Sequence, residues 1–516
     1  SCWMIQVLIE ERKEKCDFYD QIPILLRELL HRLNDDSAQI LLSTNAALSA
    51  LSKHVPAEEL VNHVDFIRNL IASMVSDARR RKGGVGDGEF LLPGFNMKKG
   101  LEPLLPIYQR GILYGDHETR EAAAAGLGEL ISITSTKFLA GPFIIKVTGP
   151  LLRIVGDRNP AAVKIAIIKT LGLILSKGGP ALRAFVPQFQ TTFLKALSDP
   201  SRQVRFEAIK AFKLLMPLST RLDPLIKELV STSLGNGAVS SLDSEAGLVV
   251  VQTATLEALA IVIKYGGKKA KLPISVPSAL DAGKEMLFHE DEGVRAGASK
   301  VIGAAYELSD SSVINDVTTE LLNSASSTPE VKHGKACLCV HVLSSSAGKL
   351  LDISIIETMS ALIKQLMTDE DGQVREASCV AAGAIIGGVS ENDTDKYLKL
   401  LQPTILKCMA EKENLELVQS VAKGLSLGAV LKPDLYAGKG PLTRAILDGA
   451  LKNSMTGQQR VQSAFNNFLW FALNVKDGED GLTGYVSGSM FENSKKMKSL
   501  YSKVLVRIKD LDVDEM

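Results

Sequence analysis

The sequence predicts an all-α fold, an α-solenoid of roughly ten to eleven stacked antiparallel helix pairs. Three observations carry that prediction. A basic or amide residue recurs at Arg120, Lys164, Arg205, Gln252, Arg295, Lys332, Arg375, Gln419 and Gln462, at intervals of 37 to 47 residues. Such a period belongs to two-helix repeats. Eight residues after it stand Gly128, Gly172, Ala260, Gly303 or Gly383, small enough to let helices approach closely. A few residues before it stand Asp116, Asp157, Asp199, Asp291 or Asp371, each of a type that caps a following helix and complements its dipole.

Taken in order, each unit is a helix A, a tight turn and a helix B. Helix A is expected at Leu101–Leu113, Ala184–Leu197, Pro224–Thr232, Ile353–Met367 and Tyr397–Met409. Helix B is expected at Glu118–Ile133, Ala161–Leu175, Ser201–Met216, Val294–Leu308 and Val374–Ile386, with apolar residues every three to four positions. Upstream of Arg120 the period breaks. Residues 1–78 are expected as helices of the same kind, in a chain cut from a longer protein. Residues 79–100, opening on Arg79-Arg80-Arg81-Lys82 and then glycines, are expected as a flexible loop and linker, with the four basic residues a possible RNA or ribosome contact. This is not a phosphate loop, since no Lys-Ser/Thr follows the glycines and no strand precedes them. Residues 101–475 carry the repeats, and 476–516 a loop and a capping helix.

Composition narrows the function. Aromatics are 5% and hydrophobics 46%, so the core is Leu, Ile, Val and Ala, a helix-packing set. Fifty-nine basic residues balance 59 acidic ones, against a dedicated nucleic-acid or membrane binder, though local basic patches remain open. No run of 18 or more apolar residues is evident, so no membrane span is expected. Six cysteines in so long a chain are expected as reduced, mostly buried thiols. The Cys337-x-Cys339 pair is mid-helix, where the two side chains diverge, and the seven histidines are scattered. No metal, cofactor or small-molecule substrate is expected, and no catalytic motif occurs. The chain is expected to be a non-enzymatic binder.

The segment Lys146–Arg158 departs most from the repeat. Val147, Leu151 and Val155 can share a core face, with Arg153 about 100° off Leu152 and Lys146 on nearly the same stripe as Arg153. Pro150 is expected to kink or restart the helix. On the residues alone, Arg153 could be a snorkelling surface residue or the partner of an acid in the next repeat.

Asp-x-x-Val-Arg, at Asp291–Arg295 and Asp371–Arg375, resembles the inter-helix signature of HEAT repeats. The expected fold is therefore a superhelical HEAT-repeat α-solenoid. Gly149-Pro-Leu-Leu-Arg-Ile-Val-Gly-Asp-Arg158, Leu182-Arg-Ala-Phe-Val-Pro-Gln-Phe189 and Leu92-Pro-Gly-Phe95 resemble the C-terminal region of the general-control translational activators. These are large ribosome-associated HEAT proteins that activate the initiation factor 2 alpha kinase in amino-acid starvation. The resemblance is closest over about residues 90–225. It implies a cytoplasmic scaffold whose residues 137–220 dock the N-terminal RWD domain of the kinase, with Arg153 the key contact and Lys146 and Arg158 beside it. Pro150, Asp157 and Phe185 would support the site, Phe185 by packing. The sequence departs from the family pattern at two places: Asn159-Pro160 stands where an aromatic is usual, and Ala184 replaces a proline. The rival expectation is a transport-receptor HEAT scaffold with an acidic groove.

Overall fold

The structure, a computed structural model, describes residues 2–11, 19–81, 91–139, 142–156, 158–236, 245–266, 275–324, 326–432, 435–436, 441–454 and 456–473. Among them no strand occurs. The chain divides into two compact units, Ser1–Leu225 and Ile226–Met516.

The first unit holds α1 (Cys2–Glu11), α2 (Ile22–Arg32), α3 (Ala38–His54), α4 (Ala57–Val61), α5 (Val64–Arg81) and α6 (Leu105–Tyr114). Then come α7 (His117–Ser132), α8 (Thr136–Leu139), α9 (Pro142–Ile154), α10 (Ala161–Gly178), α11 (Val186–Leu197) and α12 (Arg202–Leu215). α13 (Asp223–Ser233) straddles the division. The second unit continues with α14 (Glu245–Gly266), α15 (Val276–Met286), α16 (Glu292–Tyr306), α17 (Ser311–Leu322), α18 (Pro329–Leu343) and α19 (Ile353–Leu366). It closes with α20 (Gly372–Gly388), α21 (Glu391–Met409), α22 (Leu415–Leu431), α23 (Pro441–Asn453) and α24 (Gln459–Leu473).

The acidic caps act as expected at three repeats. Asp116, Asp291 and Asp371 accept from the backbone N–H of Thr119, Val294 and Val374 at 2.8, 3.0 and 2.9 Å, each such cap contributing about 1 kcal/mol. Asp199 does something else: it accepts the N–H of Ser201 at 2.9 Å and the ammonium of Lys164 at 2.7 Å. Asp157 lies outside the described residues, and α10 starts behind Pro160 with no side-chain cap.

The register residues tie the repeats together. Arg205, Arg295 and Arg375 each turn one guanidinium nitrogen onto two carbonyls of the turn joining the helices of a pair, at 2.7 to 2.9 Å. Those carbonyls lack helical donors, so the arginine closes the turn. Arg120, Lys164 and Lys332 reach sideways instead, to Asn159, Asp199 and Asp369 at 3.0, 2.7 and 2.8 Å. The small residues eight positions on lie where B helices stack. A Cβ on Gly128 would sit 2.6 Å from Thr170 Oγ1, one on Gly303 2.7 Å from the His341 carbonyl, and one on Gly383 would strike the Gly424 carbonyl.

Several expectations need correction. Helix A at 101–113 starts only at Leu105, and Ala184–Leu197 divides into a 3₁₀ turn, Gly179–Phe185, and α11. Pro187 sits in the first turn of α11, where its missing N–H is harmless. Gly179, at φ 55°, adopts the left-handed conformation that ends α10. The flexible stretch expected at 79–100 is partly structured. Residues 79–81 finish α5, Phe95 is buried, and the N–H groups of Leu92 and Gly94 donate to Ile133 and Leu33 at 3.1 and 2.7 Å. Lys82 lies outside the described residues, as do the loop and capping helix expected at 476–516.

The membrane expectation missed α14, whose 22 residues are long and apolar enough to cross a bilayer by length and composition. Gln252, Thr253, Thr255 and Glu257 interrupt its apolar run and hid it. It packs on α16: Gly297 lies under Leu256, Lys300 pairs with Glu257 at 2.5 Å, and buried Gln252 donates to the Ser233 carbonyl at 3.0 Å.

Candidate protein-binding site

α9 turns Ile144, Val147, Thr148 and Leu151 inward, against α6, α10 and α11. Its outer side carries Ile145, Lys146 and Arg153, all exposed. The helix runs through Pro150 without the break expected there. The reason lies in a neighbour. Proline has no N–H for the carbonyl four residues back, and that carbonyl, of Lys146, is taken by Gln109 Nε2 of α6 at 2.9 Å. α9 ends at Ile154, which leaves Val155 half-buried at the exit rather than in the core. Asn159, one of the two departures from the family pattern, fastens that exit: its amide donates to the Ile154 carbonyl at 2.6 Å and accepts from Arg120 at 3.0 Å.

Beside this exit is a cleft of about 260 Å³ between α9, α10 and α11, lined by Leu152, Arg153, Lys164, Thr191, Thr192 and Lys195 among others. Lys164 and Asp199, both nearly buried, pair at 2.7 Å within it. Arg153 and Lys195 are exposed. No ion pair or hydrogen bond engages the side chains of Lys146, Arg153, Arg158 or Lys195 among the described residues. The next-repeat partner that Arg153 could have had is therefore absent among them, since Asp199 is already committed to Lys164. Arg158 is exposed just past the turn.

Phe185 is half-buried and stands edge-on to Phe189 with centroids 6.5 Å apart. Phe189 stacks on Phe193 at 5.8 Å, and Phe193 meets Phe212 of α12 edge-on at 5.7 Å. The ring thus anchors the start of the helix that carries Thr191, Thr192 and Lys195. Arg79, Arg80 and Arg81 belong to the last turn of α5, far in sequence from this cleft.

Residue reasoning missed Thr191, Thr192 and Lys195, and with them a feature of charge. Between Glu129 and Glu207 the chain carries eleven Lys and Arg but only two acids, Asp157 and Asp199, within a protein of zero net charge. A windowed charge count finds this; the whole-chain balance conceals it. A field of one sign focused at a cleft favours an anionic partner.

Chemistry is served poorly elsewhere. Among the described residues no three His, Cys, Asp or Glu side chains gather as a metal site would need. Cys337 lies 3.6 Å from His333, yet burial pushes the thiol up to about 12 and the imidazole down to about 4. Two neutral groups are not an activated thiolate.

Residues 1–99 and 223–511 each match a family described as stalled ribosome sensor GCN1-like, HEAT repeats. Among curated relatives, Protein ILITYHIA of Arabidopsis thaliana is 33% identical over 73% of this chain and 13% of its own length. The stalled ribosome sensor GCN1 of Homo sapiens is 35% identical over 56% and 10%, and the eIF-2-alpha kinase activator GCN1 of Saccharomyces cerevisiae 26% over 72% and 13%. The chain thus spans little more than a tenth of these relatives. Yeast importin-beta (Kap95p) overlaps 88% of this chain and 56% of its own, at 15% identity and a TM-score of 0.45. The match at 223–511 alone covers more than half of the sequence, and the chain belongs to the stalled ribosome sensor GCN1-like HEAT-repeat family.

Proposed function

We propose that this chain is a non-catalytic scaffold segment that binds the N-terminal RWD domain of the initiation factor 2 alpha kinase through the surface of α9 and α11. By holding the kinase at the ribosome in the cytoplasm, it promotes kinase activation in amino-acid starvation. The observation that carries this reading is Arg153: exposed, free of any described partner, and beside a cleft in a locally basic region. Lys146 and Arg158 add charge on either side. Pro150 and Phe185 act from beneath, the first through the Gln109 bond to the Lys146 carbonyl and the second through the aromatic row. The mechanism is proximity: tethering raises the effective concentration of the kinase beside its activating signal. Ribosome contact by Arg79, Arg80, Arg81 and Lys82 is compatible with the same role and would show a steep salt dependence.

The test is a pull-down of the kinase's RWD domain by the wild-type chain and by Arg153→Ala. A desolvated arginine at the centre of an interface contributes about 2 kcal/mol or more. Arg153→Ala should therefore lose the domain while helicity and melting stay unchanged. Full-strength capture by the folded variant would refute the assignment.

A further inference from the structure

The turns that join α21 to α22 and α23 to α24 form the two walls of a recess of about 580 Å³ in the second unit. Its floor is apolar: Met409, Val418 and Val461 are buried, Leu406 is half-buried and Leu415 is 39% exposed. The walls are fixed to each other. Asn453 of α23 donates to the Met409 carbonyl of α21 at 3.1 Å, and a Cβ on Gly449 would lie 3.0 Å from Met409 Cε. One wall is also acidic. Residues 410–416 hold Glu411, Glu413 and Glu416 against Lys412 alone. All three carboxylates are exposed, and no ion pair engages them among the described residues.

We infer that this recess is the seat of the chain's own segment 494–509, within the stretch expected as a loop and capping helix. In its sequence Met497, Leu500, Tyr501, Val504 and Ile508 recur at helical spacing, an apolar stripe that matches the floor. Around them stand Lys495, Lys496, Lys498, Lys503, Arg507 and Lys509 with no acid, the complement of the acidic wall. Length permits the contact. Val461, at the recess, and Leu473, the end of α24, are separated by about 18 Å of helix. The 20 residues between Leu473 and Ser494 can reach about 65 Å. Two sites joined through so short a stretch of chain meet at an effective concentration on the order of millimolar, so a contact too weak to hold separate molecules is populated within one. The seat lies wholly in the second unit and does not depend on the docking proposed at α9.

Amide hydrogen exchange on the full 516-residue chain tests this, in wild type, in Leu415→Lys and in the double variant Leu500→Asp/Val504→Asp. Leu415 is partly exposed at the first position of α22, so a lysine there removes apolar floor and repels the cations without entering the core. The double variant alters the segment alone and leaves every residue of the recess in place. Expected in wild type is protection of the amides of 494–509, falling about tenfold or more in Leu415→Lys. In the double variant the amides of 410–418 and 453–461 should in turn exchange about threefold faster or more. A wild-type segment that exchanges at the unprotected rate overturns the inference. So does protection that Leu415→Lys leaves within about twofold, since the segment then rests elsewhere, and so does a recess that the double variant leaves unchanged. Protection that rises with protein concentration makes the occupant the segment of a second copy and overturns seating within one chain.

Discussion

The repeat formed by α19 and α20 and the one formed by α9 and α10 follow one plan, yet dispose of their polar and small residues in opposite directions. In the former, Asp371 caps, Arg375 closes the turn through the Asp369 and Glu370 carbonyls, and Lys332 reaches Asp369 at 2.8 Å. Gly383 and Gly424 bring two B helices into backbone contact. Each of these residues is consumed by the fold. In the latter, Lys164 does the internal work by holding Asp199, whereas the side chains of Lys146 and Arg153 have no described partner and Gly149 faces no other helix. The lesson is that in a repeat protein the residues a repeat does not consume are where binding is to be sought.

The largest expected effect attacks the consumed set. Lys164→Met leaves buried Asp199 with only the Ser201 N–H and the nearby Arg205 guanidinium to offset its charge, and breaking such a pair from one side costs about 3 kcal/mol. Arg153→Met, exposed and unpaired, should change stability by no more than about 0.5 kcal/mol. Urea unfolding of both variants checks this, and equal midpoints would mean that the two cations are not divided in the way described. Next in size is Gly383→Ala. Its Cβ would enter the Gly424 backbone, which cannot swing aside as a side chain could, so a loss of about 2–3 kcal/mol is expected in the second unit.

How far such pairs were legible in the sequence follows from their range. The period, the caps at Asp116, Asp291 and Asp371 and the small positions at Gly128, Gly303 and Gly383 rest on local spacing, and all could be read directly. Asp199 looked like a further cap, because its true partner, Lys164, is 35 residues away, and a repeat offset is not an angle. Pro150 looked like a break for the same reason: the donor that rescues its neighbour's carbonyl is Gln109, on another helix. Arg153 was visible as a residue off the core face, but the role proposed for it rests on resemblance. The cleft beside it was invisible, since Thr191, Thr192 and Lys195 join it only through packing of α11 against α9. The cation excess between Glu129 and Glu207 was legible and was averaged away.

A pH series sharpens the internal side of the comparison. His333 is held neutral in the second unit: burial first, then the Arg295 guanidinium 3.0 Å from its Nδ1, pushes it down to about 4. Glu292, 4.0 Å away, and Asp371 oppose that push without cancelling it. In the unfolded chain the same ring titrates near 6.5. Below that value the unfolded state takes up a proton that the folded state refuses. The stability present above about pH 6.5 is therefore lost as pH falls towards 4, by on the order of 2 kcal/mol for this group. Melting between pH 7 and 4.5 should fall less steeply in His333→Gln than in wild type, even though the variant starts lower. Parallel curves would remove His333 from the account.

The smallest effect is the most diagnostic. At Gly383 alanine must harm the fold; at Gly149 no other helix stands in its way. A Cβ there would meet no atom within 4 Å beyond its chain neighbours and its own helix backbone, and the φ is ordinary. Replacing glycine by alanine in a helix interior stabilises by about 0.5–1 kcal/mol, but Pro150 follows, and its ring crowds the Cβ of a helical residue before it. The two effects oppose each other, so Gly149→Ala should move the unfolding midpoint of the free chain far less than Gly383→Ala does. Equal losses at the two glycines would mean that Gly149 also serves the fold, and the contrast between the two repeats would lose its clearest member.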